Sequence, residues 1–142
     1  MRRAFIAGNW KMNLDRNSAL DLVKSLVDGT KSIKDRDILI CPSYPLIPVV
    51  NDILVGSNIW LGAQNMYYEK KGAFTGEVSA DMLKSVGCTW VIIGHSERRH
   101  IFNEDDGLIN KKIKSAIEQE IKPILCVGEL LEEREAGQTE RL

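Results

Sequence analysis

Two short polar segments of this sequence carry side chains that could act on a small anionic molecule. The first is Gly-Asn-Trp-Lys at residues 8–11, and the second is Gly-His-Ser-Glu-Arg-Arg at residues 94–99. A lysine ammonium can hold an anion, and an imidazole can exchange a proton near neutral pH. Each signal is weak alone, because a lysine after a strand is usually solvated and a lone histidine is usually structural. On the same rim of one sheet, however, the two segments can converge on one ligand.

Both segments directly follow apolar runs that we predict to be β-strands. The runs are continuously apolar rather than alternating, which is typical of strands buried on both faces in a parallel sheet. Because ligands gather at the carboxyl ends of parallel strands, the polar segments occupy the positions expected of a site. The five predicted strands are residues 4–7, 38–41, 59–63, 90–93 and 124–127.

Helical patterns separate these strands. Ser18 is predicted to cap the first helix, with Asp21 as its capping-box partner. Pro45 and Pro48 open the second helix, where the first N–H groups lack helical partners anyway, and Ser79 starts the third. Apolar residues recur at helical spacing in four stripes: Ala19, Leu22, Val23 and Leu26; Leu46, Val49, Val50 and Ile53; Met82, Leu83 and Val86; Ile109, Ile113, Ala116 and Ile117.

The alternation of strand and helix predicts an α/β fold with right-handed crossovers. Periodicity leaves two architectures open. Five parallel strands make a complete doubly wound sheet of the flavodoxin type, and they equally make five-eighths of a (β/α)8 barrel, which normally takes about 250 residues. The sequence contains no linker or low-complexity tract, so we predict a single domain over residues 1–142.

Composition argues against several classes of function. Lysine and arginine total 19 and aspartate and glutamate total 20, a balance that gives no field for nucleic acid or an anionic membrane. No stretch reaches the roughly 18 apolar residues of a membrane helix. The histidines have no cysteine or carboxylate at a metal-ligand spacing, so we predict no metal and no cofactor. Three cysteines in or beside apolar runs indicate buried reduced thiols and a cytoplasmic protein.

Five motifs, in order and in register over essentially the whole chain, closely resemble the triosephosphate isomerase family. The resemblance implies a partial TIM (β/α)8 barrel of about five parallel strands with four to five helices, and it favours the barrel over the doubly wound sheet. We therefore expect residues 1–142 to be the N-terminal, incomplete portion of such a barrel. The motifs are GNWKMN at residues 8–13, AQN at 63–65, GAFTGE at 72–77, IIGHSERR at 92–99 and CVGE at 126–129.

The resemblance implies an enediolate mechanism with part of its machinery on this chain. The family interconverts dihydroxyacetone phosphate and glyceraldehyde 3-phosphate: a base removes a carbon-bound proton while an electrophile stabilises the oxygen that gains charge. His95 matches the electrophile, which is known to be a neutral imidazole in this enzyme. Lys11 matches the substrate lysine, and Asn9 matches a polar neighbour that positions the substrate.

Three further residues match supporting positions of the family. Ser96 and Glu97 begin a short predicted helix, and Glu97 matches a carboxylate that pairs with the lysine. An ordinary acid at a helix N-terminus is the competing interpretation of Glu97. Thr75 lies in the loop that, in family dimers, enters the neighbouring subunit's active site. Cys126 is predicted to pack the end of strand five, because nothing beside it obviously lowers the pKa of its thiol.

The resemblance also implies parts that nothing in these residues matches. The family's glutamate base follows strand six, and the lid and two later loops hold the phosphate. We therefore expect no isomerase activity from this chain alone. Strands one and five would be left as unpaired edges, which predicts a complementary C-terminal half chain bearing strands six to eight, or a homo-oligomer.

Two hypotheses of different classes remain open. In one, the chain is a subunit of a split isomerase that acts on triose phosphates. In the other, it is an inactive truncated or engineered half-barrel with a structural role only. A third hypothesis, an unrelated five-stranded regulatory or sugar-phosphate module, is disfavoured. A phosphoacceptor module requires clustered acids at its strand ends, whereas strand one ends in Gly8-Asn9 and strand three in Gln64-Asn65.

Overall fold

The computed structural model describes residues 3–141, so residues 1, 2 and 142 of the predicted domain lie outside it. Five parallel strands alternate with helices in this region. Short 3-10 turns precede the second helix (Tyr44–Leu46) and end the described chain (Thr139–Arg141). The elements are β1 (Ala4–Asn9), α1 (Arg16–Thr30), β2 (Arg36–Cys41), α2 (Ile47–Leu54), β3 (Ile59–Ala63), α3 (Ala80–Ser85), β4 (Trp90–Ile93), α4 (Ser96–His100), α5 (Asp106–Glu118), β5 (Lys122–Leu125) and α6 (Leu131–Glu135).

The strand order decides between the two architectures. The strands pair in the order β1-β2-β3-β4-β5, so β1 and β5 are the edges. A doubly wound sheet of the flavodoxin type would instead place β1 inside, in the order 2-1-3-4-5. The prediction of a partial TIM barrel with about five parallel strands is therefore confirmed, and the doubly wound alternative is excluded. The predicted number of helices, four to five, is too low, because residues 3–141 form six α-helices.

The hydrophobic core lies between the convex face of the sheet and the helices. Alternate residues of the middle strands, such as Ile40, Leu61 and Ile93, point to this layer and are buried. Helices contribute the opposing side chains from one side of the sheet only, which is the arrangement of a barrel wall. The helix residues of this cluster are Ala19, Val23, Ile47, Val50, Leu54, Ala80, Leu83, Ile109 and Ala116.

The sheet is strongly curled, and side chains fill its concave face. Phe5 of β1 and Trp90 of β4 have ring centroids 4.8 Å apart although their strands are not neighbours. Gly62 of β3 lies between them in the order of strands, and a Cβ there would come within 2.8 Å of the Cys41 sulfur and 3.3 Å of the Trp90 Cβ. This close approach explains why the position is glycine.

Several predicted boundaries are wrong. Strand β1 extends to Asn9 rather than to residue 7, and β2 begins at Arg36 rather than at residue 38. Helix α1 begins earlier, because Asp15 is its N-cap: its carboxylate accepts the Ser18 N–H at 2.9 Å, and the Ser18 hydroxyl accepts the Asp15 N–H at 3.1 Å. The fifth strand is Lys122–Leu125 rather than 124–127. The Lys122 and Cys126 N–H groups both bond to the carbonyls of the β4 side, so the N of Pro123 faces the free edge, where no hydrogen bond is required.

The two edge strands are much less covered than the middle ones. Ile6 of β1 is 51% exposed and Leu125 of β5 is 48% exposed, whereas Val91 of β4 is fully buried. The predicted exposure of these edges is therefore present in the structure. Among the helices of residues 3–141, none combines the length and the apolar character that crossing a membrane requires.

Candidate active site

The carboxyl ends of β1, β3 and β4 surround one cleft of about 380 Å³. It contains both polar segments that the sequence singled out, because the ends of parallel strands share one rim of the sheet. Four of the predicted site residues line this cleft: Asn9, Lys11, His95 and Glu97. The remaining lining residues are Met12, Ser43, Tyr44, Pro45, Gln64, Asn65, Arg98 and Phe102.

His95 is held at the turn between β4 and α4. Gly94 has φ 73°, in the left-handed region, and a Cβ there would lie 3.0 Å from the Arg99 guanidinium, so glycine allows the turn. His95 is the N-cap of α4, and its Nδ1 atom accepts the Glu97 N–H at 3.3 Å. The Glu97 carboxylate also lies 3.4 Å from Nδ1. Because the backbone N–H of Glu97 can only donate, Nδ1 accepts from it and the imidazole proton lies on Nε2.

Lys11 has an unusual backbone conformation that its neighbours stabilise. Its φ is 54°, a left-handed value that costs energy for a residue with a side chain. The Lys11 N–H donates to Asn9 Oδ1 at 3.0 Å, and its carbonyl accepts from Gln64 Nε2 at 2.9 Å. The same Gln64 amide donates to the Cys41 carbonyl at 2.9 Å. Gln64 thus links the ends of β1 and β2, a role that the sequence analysis did not assign to it.

An ion pair crosses the cleft from the end of β1 to the start of α4. Lys11 Nζ lies 2.9 Å from Glu97 Oε1. This hydrogen bond with Lys11 is the main cause that lowers the pKa of Glu97, and the positive charge of Lys11 adds to it. The contact that the resemblance implied is therefore present, while the catalytic roles of both residues stay predictions. Both side chains are about half exposed, so solvent weakens the pair.

A buried charge network includes Arg98 and Asn65, which also line the cleft. Glu104 Oε1 accepts from Arg98 Nε at 2.5 Å and from Lys112 Nζ at 2.6 Å. Lys112 also donates to Asn65 Oδ1 at 2.9 Å, and only 1% of Lys112 is exposed. Burial lowers the pKa of Lys112, and the Glu104 carboxylate opposes this shift. This network could not be predicted from the sequence, because a lysine beside Lys111 looks like an ordinary solvated helix residue.

The other predicted site residues lie outside the cleft. Ser96 and Thr75 are both exposed. Thr75 occupies a loop whose base is closed by the Tyr67 N–H donating to the Val78 carbonyl at 2.8 Å. Cys126 packs against Leu39, Cys41 and Ile92 on the concave face, and burial raises the pKa of its thiol, so its predicted packing role is confirmed. Within residues 3–141, no three histidine, cysteine or acidic side chains come together as a set that could hold a metal ion.

A model of the triosephosphate isomerase family matches residues 4–142. The chain belongs to the triosephosphate isomerase family. Among curated relatives, the triosephosphate isomerase of Carboxydothermus hydrogenoformans is 54% identical over 139 residues, which are 98% of this chain and 55% of that protein. The one from Alkaliphilus oremlandii is 52% identical over 139 residues, 98% of this chain and 56% of that protein.

A solved triosephosphate isomerase from Bartonella henselae has the same fold over the region compared. The TM-score is 0.91 at 40% sequence identity, with 97% of this chain and 57% of that chain covered. The chain thus spans about half the length of the triosephosphate isomerases that it matches. It corresponds to the N-terminal half of the family's barrel.

Proposed function

We propose that this chain supplies the electrophilic side of a triosephosphate isomerase active site, for the interconversion of dihydroxyacetone phosphate and D-glyceraldehyde 3-phosphate. The observation that carries the proposal is the convergence of His95, Lys11 and Glu97 on one cleft, with Lys11 Nζ 2.9 Å from Glu97 Oε1 and the Glu97 N–H on His95 Nδ1. The family membership of the chain supports the same assignment.

His95 acts in this proposal as a hydrogen-bond donor to the substrate carbonyl. With Nδ1 accepting a backbone N–H, Nε2 carries the proton. The carbonyl oxygen gains negative charge as the neighbouring carbon loses its proton, and the Nε2–H stabilises that charge. This role uses the neutral imidazole, because only that form leaves Nδ1 as an acceptor for the Glu97 N–H while Nε2 donates.

Lys11 and Asn9 act as the substrate-positioning pair. The Lys11 ammonium provides a fixed positive charge for the phosphate and the enediolate. The left-handed backbone of Lys11, held by Asn9 and Gln64, gives the ammonium a defined origin at the end of β1. Glu97 then restrains the ammonium from α4 until substrate binds, and Ser96 belongs to the same supporting segment.

The proposed reaction requires a complementary segment, on a second chain or further along a longer polypeptide. That segment brings the glutamate base, the lid and the phosphate loops, and its strands pair with β1 and β5. The exposed edges support this, with Ile6 and Leu125 about half exposed, since a barrel is stable because closure removes its edges. We propose that the 142 residues alone form one incomplete domain without isomerase activity.

Self-association is the second part of the proposed assembly. Thr75 is exposed and lies outside the cleft of its own chain, which supports the insertion of its loop beside the active site of a second copy. Met12, at the cleft entrance, is 96% exposed, and Phe102 is 61% exposed. These apolar side chains offer a contact for such a loop.

The inactive half-barrel is the second candidate function. The convex core favours it, because Val23, Val50 and Ile93 are fully buried without any further segment, so the chain has the means to fold by itself. We place either form in a reducing compartment such as the cytoplasm. Cys41 and Cys88 are free, and burial raises the pKa of each thiol to about 12, which makes them poor partners for oxidation.

The test uses this chain reconstituted with the C-terminal part of the Carboxydothermus relative that it does not cover. In that complex, His95→Ala and Lys11→Met should each lower kcat/KM. The decrease should correspond to a loss of about 3–4 kcal/mol of transition-state stabilisation. Lys114→Met, at an exposed position of α5, is the matched control and should leave kcat/KM unchanged. A His95→Ala complex that assembles and turns over at a near-normal rate would show that the assignment of His95 is mistaken.

A further inference from the structure

The concave face of the sheet carries a lysine stacked on two tryptophans. Lys122 Nζ, on β5, lies 5.1 Å from the ring centre of Trp90 on β4 and 5.7 Å from that of Trp60 on β3. Phe5 of β1 packs against the other side of this group, 4.8 Å from the Trp90 ring. Two indole rings therefore hold the ammonium by cation–π attraction at the amino-terminal end of the strands. We call Trp60, Trp90 and Lys122 the indole–lysine surface.

This ammonium has no anionic partner among the described residues. No carboxylate of residues 3–141 lies within 4 Å of Lys122 Nζ. Asp37, an acidic residue of β2, is bound by Arg3 at 2.9 Å. The indole N–H of Trp90 is buried and has no acceptor among residues 3–141. The concave face thus carries one ammonium without a paired carboxylate and one indole N–H without an acceptor among residues 3–141.

We infer that the indole–lysine surface is a docking site for an acidic side chain on a strand that closes the barrel. The inference rests on the closure that the proposed function requires. Closure takes Lys122 from an exposed position into the barrel interior, and burying a charge without a partner is unfavourable. An aspartate or glutamate on the inner face of a closing strand, at the level of Lys122, neutralises that charge. The charge then selects the register in which the segment docks.

The charge of the surface also indicates which partner does not fit. A second copy of this chain would bring its own Lys122 toward the same surface, and two ammonium groups repel each other. The docking partner is therefore a different segment. Trp60 is 45% exposed, so an incoming side chain can reach the stack from the open side of the sheet.

The experiment measures association with the C-terminal part of the Carboxydothermus relative by calorimetry at several salt concentrations. Lys122→Met keeps an apolar stem on the indoles but removes the charge, and it should weaken association by about tenfold or more and flatten its salt dependence. Lys122→Arg should stay within about threefold of the unchanged chain, because Arg keeps the charge and stacks on aromatic rings. Lys111→Met is the matched control: Lys111 also stacks on an aromatic ring, that of Tyr68 at 5.3 Å, and its loss should have no effect.

Further results separate this inference from the proposed function. If the unchanged chain binds the segment and Lys122→Met binds equally well, the docking role is refuted while closure stands. If the unchanged chain does not bind at all, both fall together. Tryptophan fluorescence of the isolated variants checks their folding, with Lys122→Gln as a second neutral variant. Unfolding of both neutral variants in isolation would overturn the inference by assigning Lys122 to the stability of the sheet itself.

Discussion

Apolar side chains on the convex face of β2 to β4 and on the two edge strands have very different surroundings. Leu61 and Ile93 are at most 4% exposed, whereas Ile6 and Leu125 are about half exposed. The difference lies in the position of each strand in the sheet, because β1 and β5 each have a neighbouring strand on one side only. The edge strands thus have a composition suited to a barrel that further strands close.

The candidate site spans both regions. His95 follows β4, which is well covered, whereas Lys11 follows β1, which is an open edge. The pair between Lys11 and Glu97 and the two hydrogen bonds of Gln64 connect the edge to the covered region. The position of Lys11 therefore depends on a few polar contacts, while that of His95 depends on the packed core.

The largest effect on the free energy of unfolding is expected from removing a member of the buried charge network. Glu104→Ala removes the carboxylate that Arg98 and Lys112 share and leaves the buried Lys112 ammonium without its anion. The free energy of unfolding should fall by about 3–5 kcal/mol, as measured by urea denaturation. Glu69→Ala, at an exposed position, is the control and should cost little. A Glu104→Ala variant within about 1 kcal/mol of the unchanged chain would contradict the role of the network.

A direct comparison of the two regions uses one substitution in each. Ile93→Ala, in the fully buried convex layer, should cost about 2–5 kcal/mol of unfolding free energy. Ile6→Ala, on the half-exposed edge, should cost less than about 1 kcal/mol in the isolated chain. Its cost should rise when the complementary segment covers β1. Equal costs for the two substitutions in the isolated chain would mean that β1 is covered in solution.

The smallest effect concerns the contact that joins the regions. Because Lys11 lowers the pKa of Glu97 below its ordinary value of 4.5, the pair contributes stability above that pH and loses it as the pH falls through the lowered pKa. Carbon NMR of the Glu97 carboxyl should give a midpoint below 4.5, and Lys11→Met should move it upward. A midpoint that does not respond to Lys11→Met would remove the ion pair from the description of the site.

Much of this architecture was predictable from the sequence, and the exceptions have physical reasons. The first four strands were found because each is a continuous apolar run, and the rim residues were found because they follow such runs. The fifth strand was misplaced because Lys122 and Pro123 do not look like strand residues, although a proline nitrogen is tolerated at a free edge. The Asp15 cap was missed because Ser18, a common N-cap residue, stood nearby.

The contacts that the sequence could not predict are those between distant residues. Lys112 meets Asn65 across 47 positions of the chain, and Lys11 meets Gln64 across 53. The periodic spacing of apolar residues along the sequence does not indicate which distant residues form such contacts. Likewise, Ile117 was placed in the apolar stripe of its helix and is 62% exposed, since a helical pattern shows which residues share a face but not what covers that face.

Isomerase activity with and without the complementary segment tests the proposed function most directly. The purified 142-residue chain should show no turnover of glyceraldehyde 3-phosphate above background. Mixing with the C-terminal part of the Carboxydothermus relative should produce turnover together with a heavier species in sedimentation. Robust turnover by the chain alone, unchanged by further purification, would contradict the account. So would a stable complex in which the closed barrel has no activity.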